Sequence, residues 1–263
     1  MRSSAPCLSL LFALAAGCAG TPDDDSLVWS DAVVRTLERE RGEVVEVARF
    51  SELRPGARVA PWEPWLIVRG NALTKYRAAA VEGVVALEAE GVEGGSGMTR
   101  KIRIDPQAQP VMEWRWRVPL PEAGSPPLTV TSRASPMARL SLAFHGDPDK
   151  LDFEERVKLR MAKALTINGL PYASLLYVWM VNQPVDTVLH SPHTDRVRMI
   201  VAESGVQRAG QWITLRRNVA EDFRRAFGEE PGDIVAIGLM TDPGDDGSPR
   251  RTFYGDITFR SAP

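Results

Sequence analysis

The amino-acid sequence predicts an all-β protein, a two-sheet β-sandwich or jelly roll with a few helical insertions. Two segments that are apolar throughout, residues 175–180 and 234–240, are expected to be central and covered strands. Seven further segments mostly alternate apolar and polar residues, as half-buried strands do: residues 44–50, 84–90, 98–104, 111–118, 139–144, 195–201 and 251–259. Turn residues separate the segments, at Gly94-Gly95, Asp105-Pro106, Asn168-Gly169 and Ser204-Gly205. Many short strands with such turns favour two packed sheets.

Three helices are predicted between the strands. The first covers residues 31–41 and the second residues 149–165, where acidic residues lead and basic residues follow, as the helix dipole favours. The apolar stripe of the second helix is Phe153, Val157, Met161 and Leu165. Capping residues mark both ends of the third helix, because Asn218 is a good N-cap and Gly228 a good C-terminal stop.

The N-terminus predicts export. Arg2 precedes an apolar stretch, residues 8–16, which has the length of a signal peptide and is too short to span a bilayer. Residues 15–18, Ala-Ala-Gly-Cys, resemble the lipobox of bacterial lipoproteins, in which the cysteine receives the lipid. The resemblance implies lipidation of Cys18; the alternative is ordinary signal-peptide cleavage nearby.

These features divide the chain into three expected parts. They are a lipoprotein signal peptide at 1–17, the lipidated cysteine and a polar tether at 18–27, and one β-sandwich domain with an N-terminal helix at 28–263. Ala19 follows the cysteine, and not the aspartate that commonly retains lipoproteins at the inner membrane. We therefore expect a cell-envelope protein that is lipid-anchored to the outer membrane and faces the periplasm.

Composition excludes several classes of protein. Cys7 and Cys18 are the only cysteines, so the mature chain is expected to hold no disulfide and no thiolate zinc site. With 32 Lys and Arg against 34 Asp and Glu, the formal net charge is −2, which argues against nucleic acid as a partner.

Five motifs, taken in order, resemble domain-of-unknown-function family 3047, which are secreted bacterial proteins expected to form β-sandwiches like carbohydrate-binding modules. The motifs are W-R-W-R-V (114–118), Y-V-W (177–179), R-N-V-A-E-D-F-R-R-A-F-G (217–228), L-M-T-D (239–242) and Y-G-D-I (254–257). The likeness runs from about Val47 to Phe259 and implies a fold class but no reaction. Two departures concern acidic positions: Ala134 and Ser135 replace an acidic pair, and Gly244 replaces the second acid of a loop.

That acidic loop is the first candidate metal site. Counted from Asp242, it lacks the acid at position 3 and the glutamate at position 12 of an EF-hand, which excludes that motif. A looser calcium clip of Asp242, Asp245 and Asp246 is the alternative to a plain turn between two strands, which the residue types favour.

Histidines and nucleophile motifs give no stronger site. His190 and His193 flank Pro192 in a bent loop, where no helical spacing brings the two rings to one face, so we expect no metal there. The sequence has no G-x-S-x-G nucleophile elbow and no phosphate-binding glycine motif that opens a helix. No cofactor is predicted.

The tryptophans divide into two groups. Trp114 and Trp116 share one strand face with other apolar residues, so we expect them to pack in the core. Trp62 and Trp65 stand among prolines and are candidates for an exposed sugar-stacking platform, or for a plug formed by a loop.

Basic residues at outward strand positions form a second candidate binding surface. They are Lys101, Arg103, Arg115, Arg117, Arg139, Arg196 and Arg198. If their strands share a sheet, they form a basic strip suited to an anionic glycan or phosphate, because guanidinium groups bind such anions through two hydrogen bonds. The alternative is cross-strand pairing with Glu88, Glu90 and Glu113.

The function predicted from these features is non-catalytic: binding of a saccharide or envelope polymer, or a structural role, with the membrane as a partner through the lipid anchor. The alternative is a glycan-acting hydrolase or lyase. Such an enzyme needs two carboxylates about 5 to 10 Å apart, and Glu113 and Asp256 are the strand carboxylates considered for it.

Overall fold

The computed structural model describes residues 31–66, 72–92, 94–120, 136–165, 170–243, 247 and 249–262. The predictions for the signal peptide, Cys18, the Asn168-Gly169 turn, Asp245 and Asp246 lie outside these residues. The architecture is a two-sheet β-sandwich, as predicted, and its thirteen described strands are numbered in chain order. The helices within the described ranges fall short of the length and hydrophobicity that crossing a bilayer requires.

The first sheet has six antiparallel strands. They are β1 (Val44–Ala48), β3 (Lys75–Val81), β4 (Val84–Gly91), β6 (Val111–Arg117), β11 (Ile213–Asn218) and β13 (Arg250–Arg260). The order is β11-β6-β13-β4-β3. The long strand β13 pairs with β6 along one edge, and with β4 and then β1 along the other.

The second sheet has seven strands. They are β2 (Glu63–Leu66), β5 (Ser96–Ile104), β7 (Ala138–Phe144), β8 (Ala173–Met180), β9 (Val188–His190), β10 (Val197–Ser204) and β12 (Ile234–Met240). The order is β2-β5-β12-β7-β8-β10-β9, with only β8 and β10 parallel among these described pairs. The two fully apolar segments form β8 and β12, which are interior strands, as predicted.

The core lies between the sheets and is rich in aromatic rings. Trp114 of the first sheet contacts Tyr177 of the second, with ring centroids 5.0 Å apart, and Trp116 lies 6.2 Å from Trp179. All four side chains are buried, which confirms the packing role predicted for Trp114 and Trp116. Because side chains alternate along a strand, the neighbours of these residues point away from the core and form the two outer faces of the sandwich.

The third predicted helix is confirmed with its caps. It is α3 (Val219–Phe227), where the Asn218 side chain accepts a hydrogen bond of 3.1 Å from the backbone N–H of Glu221. Gly228 ends the helix with φ of 73°, a left-handed conformation that glycine adopts without strain. The first helix, α1 (Asp31–Thr36), is shorter than predicted.

The second helix, α2 (Phe153–Leu165), presents a face different from the predicted one. Phe153 and Met161 are 76% and 44% exposed. Glu155 is buried instead, because its carboxylate accepts hydrogen bonds from the Thr194 hydroxyl and the Lys158 ammonium group. These polar contacts decide which face of α2 turns inward.

Candidate binding cleft

The outer face of the seven-stranded sheet carries a cleft of about 150 Å³. Its floor consists of small residues on three neighbouring strands: Ala236 and Gly238 of β12, Ser141 and Ala143 of β7, and Ser174 of β8. Strand register brings them together, because Gly238 pairs with Ser141, Ala236 pairs with Ala143, and Ala143 pairs with Ser174. The floor is deep because these positions carry almost no side chain.

Two walls rise beside the floor. Trp65 and Leu66 of β2 form one wall, and Thr99 lies between this wall and the floor. The opposite wall is aliphatic and consists of Leu170, Pro171, Leu176 and Val197. The floor, Thr99 and these two walls together are called the cleft below.

Trp65 is held against backbone. A Cβ atom added to Gly238 would lie 3.3 Å from Cζ3 of the indole, and one added to Gly97 would lie 3.5 Å from Cε3. The added atom at Gly97 would also lie 2.6 Å from the carbonyl oxygen of Leu239, closer than real side chains approach. Trp65 therefore rests on two glycines while remaining half-exposed at the edge of the cleft.

The polar groups of the cleft are few. The Thr99 hydroxyl donates a hydrogen bond of 3.2 Å to the carbonyl oxygen of Ile237. The hydroxyls of Ser141 and Ser174 have no hydrogen-bond partner in the described part of the chain, and both residues are half-buried. These two hydroxyls are therefore available to a ligand.

The residues that border the cleft along the strands differ at its two ends. At one end, Arg139 and Asp242 form an ion pair with a nitrogen–oxygen distance of 2.5 Å, and Asp242 also accepts a hydrogen bond from the backbone N–H of Gly95. At the other end, Lys101 pairs in register with Ala236 and is exposed, with no ion pair among the described residues.

The seven predicted residues do not form one basic strip, because two of them lie on the other sheet and two more are buried. Arg115 and Arg117 lie on β6, on the outer face of the six-stranded sheet, whereas Lys101, Arg103 and Arg139 belong to the seven-stranded sheet. Most of these side chains are also engaged. Arg115 lies over the ring of Trp212, Arg117 pairs with Glu82, and Arg103 pairs with Asp233.

The outward orientation predicted for Arg196 and Arg198 is wrong, since both residues are at least nine-tenths buried. The Arg196 guanidinium lies 4.2 Å from the centre of the Tyr172 ring, and both arginines lie over Phe227 of α3. Arg198 pairs with Asp195 at 2.9 Å, which lowers the pKa of that carboxyl group. Aromatic rings around them make this buried position favourable for the two cations.

The structure places Trp62 and Trp65 in different environments. Trp62 is only 6% exposed and packs in the core, with its ring 5.5 Å from that of Phe50, so the prediction of an exposed platform is wrong for this residue. Trp65 lines the cleft. The surrounding prolines suggested exposure for both, but burial depends on which side of the sheet edge each ring points to.

The other candidate residues stay apart from the cleft. Asp256 of β13 and Glu113 of β6 lie on neighbouring strands of the six-stranded sheet. The Asp256 carboxylate accepts hydrogen bonds of 2.9 and 2.5 Å from the backbone N–H and the hydroxyl of Ser51. His190 and His193 are exposed. Within the described ranges, no three His, Cys, Asp or Glu side chains lie close enough to share a metal ion.

The small floor residues were missed by sequence reasoning. A signal for them exists, because four outward positions of 139–144 and 234–240 carry serine, alanine or glycine where a solvated sheet would carry long polar side chains: Ser141, Ala143, Ala236 and Gly238. That signal becomes specific only when the register of the strands is known.

Comparisons with known proteins identify the family of the chain. A search of curated proteins finds no match. Among solved structures, the chain is similar to a xylan-binding module CBM15, at 12% sequence identity and a TM-score of 0.35, over 83% of this chain and 96% of that one. Residues 60–258 match the family described as "Protein of unknown function (DUF3047)", and this range contains every residue of the cleft. The chain belongs to the DUF3047 family.

Proposed function

We propose that this protein is a non-catalytic module that binds a saccharide, as a segment of an envelope polymer, in the cleft. Trp65 is the observation that carries the proposal. Its indole is half-exposed beside a concave surface and is held in place by Gly97 and Gly238. An aromatic ring of this kind offers an apolar surface to the C–H face of a sugar ring.

The remaining chemistry of the cleft fits binding. Ligand sites are typically concave and mostly apolar, with a few polar groups that fix the orientation of the ligand. The free hydroxyls of Ser141 and Ser174 supply such groups. None of the lining residues that the structure describes is a carboxylate, and a glycosidase needs two at one site, so binding without turnover is the function that the cleft supports best.

The test is a comparison of two tryptophan variants of the full chain, purified in detergent and titrated with a panel of neutral and acidic polysaccharides. Trp65→Ala is expected to weaken binding by about tenfold or more, because one stacked ring is lost. Trp212→Ala is the matched control, since Trp212 is also half-buried but lies beneath Arg115, which belongs to the other sheet.

The outcomes separate the two candidate functions. Equal binding by both variants and the wild type would contradict a binding site at Trp65. Release of reducing ends from the polysaccharide by the wild-type protein would replace binding with hydrolysis. Binding that persists at high salt supports a neutral saccharide, whereas binding that fades with salt points to an acidic one.

We also propose that Cys18 anchors the protein by lipid to the outer membrane, facing the periplasm, on the basis of residues 15–18. A Cys18→Ser variant is then expected to leave the membrane fraction and appear in the soluble fraction. Retention of this variant in the membrane fraction would contradict a lipid anchor at this position.

A further inference from the structure

We propose that the cleft recognises a short acyl ester on the saccharide, and that the sugar ring itself stays at the edge of the cleft on Trp65. The inference rests on the proposed function and names the chemical class of the substituent. Three properties of the cleft support it: the chemistry of its lining, its size, and the position of its hydroxyls.

The lining is almost wholly hydrocarbon. Its opposite wall is aliphatic, its floor is largely glycine and alanine, and the Thr99 hydroxyl is already used by the backbone. A bare sugar ring buried there would leave several hydroxyls without partners, and burying a polar group without a hydrogen bond is costly. An acyl chain has no such groups, and its burial is favourable in proportion to its apolar area.

The size of the cleft favours a substituent over a ring. Its volume of about 150 Å³ equals that of an engineered apolar cavity that binds benzene, so it holds about six carbon atoms. A hexose has twice as many non-hydrogen atoms as benzene. The floor therefore takes a side group, while the ring remains against the half-exposed indole of Trp65.

The two free hydroxyls lie where an ester needs donors. Ser141 pairs with Gly238, beneath the indole, and Ser174 pairs with Ala143 on the next strand. An acyl chain that passes Trp65 and enters the floor brings its ester carbonyl close to these serines, which would donate hydrogen bonds to it. No covalent step is involved.

The experiment measures affinity against chain length. The full chain is titrated with methyl β-glucoside and with its 6-O-acetyl, butyryl, hexanoyl and decanoyl esters. Each ester is kept below its own critical micelle concentration, so that it does not form micelles. We expect affinity to rise about fourfold for each added methylene, and to stop rising near six carbons, when the cleft is full. The wild-type series alone tests the inference, so the result does not depend on the folding of any variant.

A variant that fills the floor of the cleft is compared with a control variant on the other sheet. Ala143→Leu places a larger side chain in the cleft and is expected to remove the dependence on chain length, whereas Ala80→Leu, on the exposed edge strand of the other sheet, should leave it unchanged. Binding of an unesterified polysaccharide should persist in both variants, because it depends on Trp65.

Each outcome decides a different claim. Equal affinity across the esters, together with polysaccharide binding that Trp65→Ala weakens, would overturn the acyl inference and leave the proposed function in place. Equal binding of free hexanoate and the hexanoyl ester would also overturn the acyl-ester inference, because the sugar would then contribute nothing to ester binding; the proposed function would still be judged by the Trp65→Ala result with polysaccharide. No binding of esters or of any polysaccharide would overturn both the inference and the proposed function.

Discussion

The two outer faces of the sandwich are built on the same inner core but have opposite chemistry. The six-stranded sheet presents charges that neutralise one another: Glu88 pairs with Arg77 at 2.6 Å and with Arg251 at 3.0 Å, and Arg117 pairs with Glu82 at 2.7 Å. At the cleft, the seven-stranded sheet presents small side chains, two free hydroxyls and one indole, and its charged residues lie at the ends of the cleft, as the Arg139–Asp242 pair and Lys101 do. The comparison teaches that a cleft arises here where side chains are short, and that the arginines of the six-stranded sheet which suggested a binding surface are already paired or packed.

Two glycines make the comparison specific. Gly238 in β12 lies beneath Trp65, and Gly255 in β13 lies beneath Arg115, whose Cγ atom would be 2.4 Å from an added Cβ. Each glycine thus allows a long side chain to lie close to its sheet. On one face that side chain is a half-exposed ring beside a cleft, and on the other it is an arginine that covers Trp212.

The largest expected effect is alkaline unfolding, which should affect both sheets together because they share one core. Tyr177 and Tyr254 come from different sheets, and burial raises the pKa of both hydroxyls above their ordinary value. Because the pKa is higher in the folded state, each tyrosine ionises first in the unfolded state. The free energy of unfolding is therefore unaffected below about pH 10 and falls as the pH rises further. We expect cooperative alkaline unfolding, with tyrosinate absorbance and circular dichroism changing together. Ionisation of Tyr177 and Tyr254 with native dichroism retained would contradict the burial of their hydroxyls in the shared core.

Alanine substitutions at Gly238 and Gly255 distinguish effects on stability from effects on binding. Gly238→Ala and Gly255→Ala should each lower the free energy of unfolding by about 1 to 3 kcal/mol, because each added methyl group overlaps a packed neighbour. Only Gly238→Ala should also weaken saccharide binding, since the added methyl group would lie 2.4 Å from the Ser141 hydroxyl and 3.3 Å from the Trp65 indole, and both groups belong to the cleft. Chemical denaturation and titration on the same preparations measure both quantities, and equal loss of binding in the two variants would remove the distinction between the faces.

Glu88→Gln tests the ion pairs on the outer face of the six-stranded sheet. We expect a loss of about 1 kcal/mol, because a buried carboxylate loses charge-assisted hydrogen bonds while its exposed arginine partners regain hydration. Binding to the cleft should not change. A larger effect on binding than on stability would place the ligand on this sheet instead.

The smallest effect is expected at Lys101. Lys101→Gln should leave the affinity for neutral saccharides within about twofold and should lower affinity for acidic polysaccharides only at low salt, because an exposed charge is screened. Arg115→Gln combined with Arg117→Gln is the control, since these residues lie on the other sheet. Loss of binding in the control would place the ligand on the six-stranded sheet instead of the cleft.

Local patterns predicted nine of the described strands, because half-buried strands have an alternating pattern that can be recognised without knowing their partners. The four missed strands have weak local signals. β2 contains Pro64, β3 is largely alanine, β9 has three residues, and β11 ends directly in the cap of α3. Alanine and proline are depleted in strands, so such segments depend on tertiary pairing.

The cleft was not predictable in the same way. Trp65 was singled out as a candidate and lines the cleft, but the floor of the cleft depends on Ser141 and Gly238 lying side by side, and these residues are far apart in the sequence. The basic strip failed for the same reason, because period two says which residues share a face of one strand and nothing about which strands are neighbours. Arg196 and Arg198 also violate the usual rule that arginine is exposed, since aromatic rings and acids surround them.

The place of β13 has a consequence for the order of events when the chain is made. This strand, the last that the structure describes, pairs with β6 on one side and with β4 and β1 on the other. Until it is made, β1 has no neighbour among the described strands, and β4 and β6 each have one unpaired edge. Ribosomal synthesis proceeds from the N-terminus, at about 5 to 20 residues per second. The six-stranded sheet is therefore completed only after translation has passed residue 260, and a chain that stops short of β13 has a split sheet with three unpaired edges.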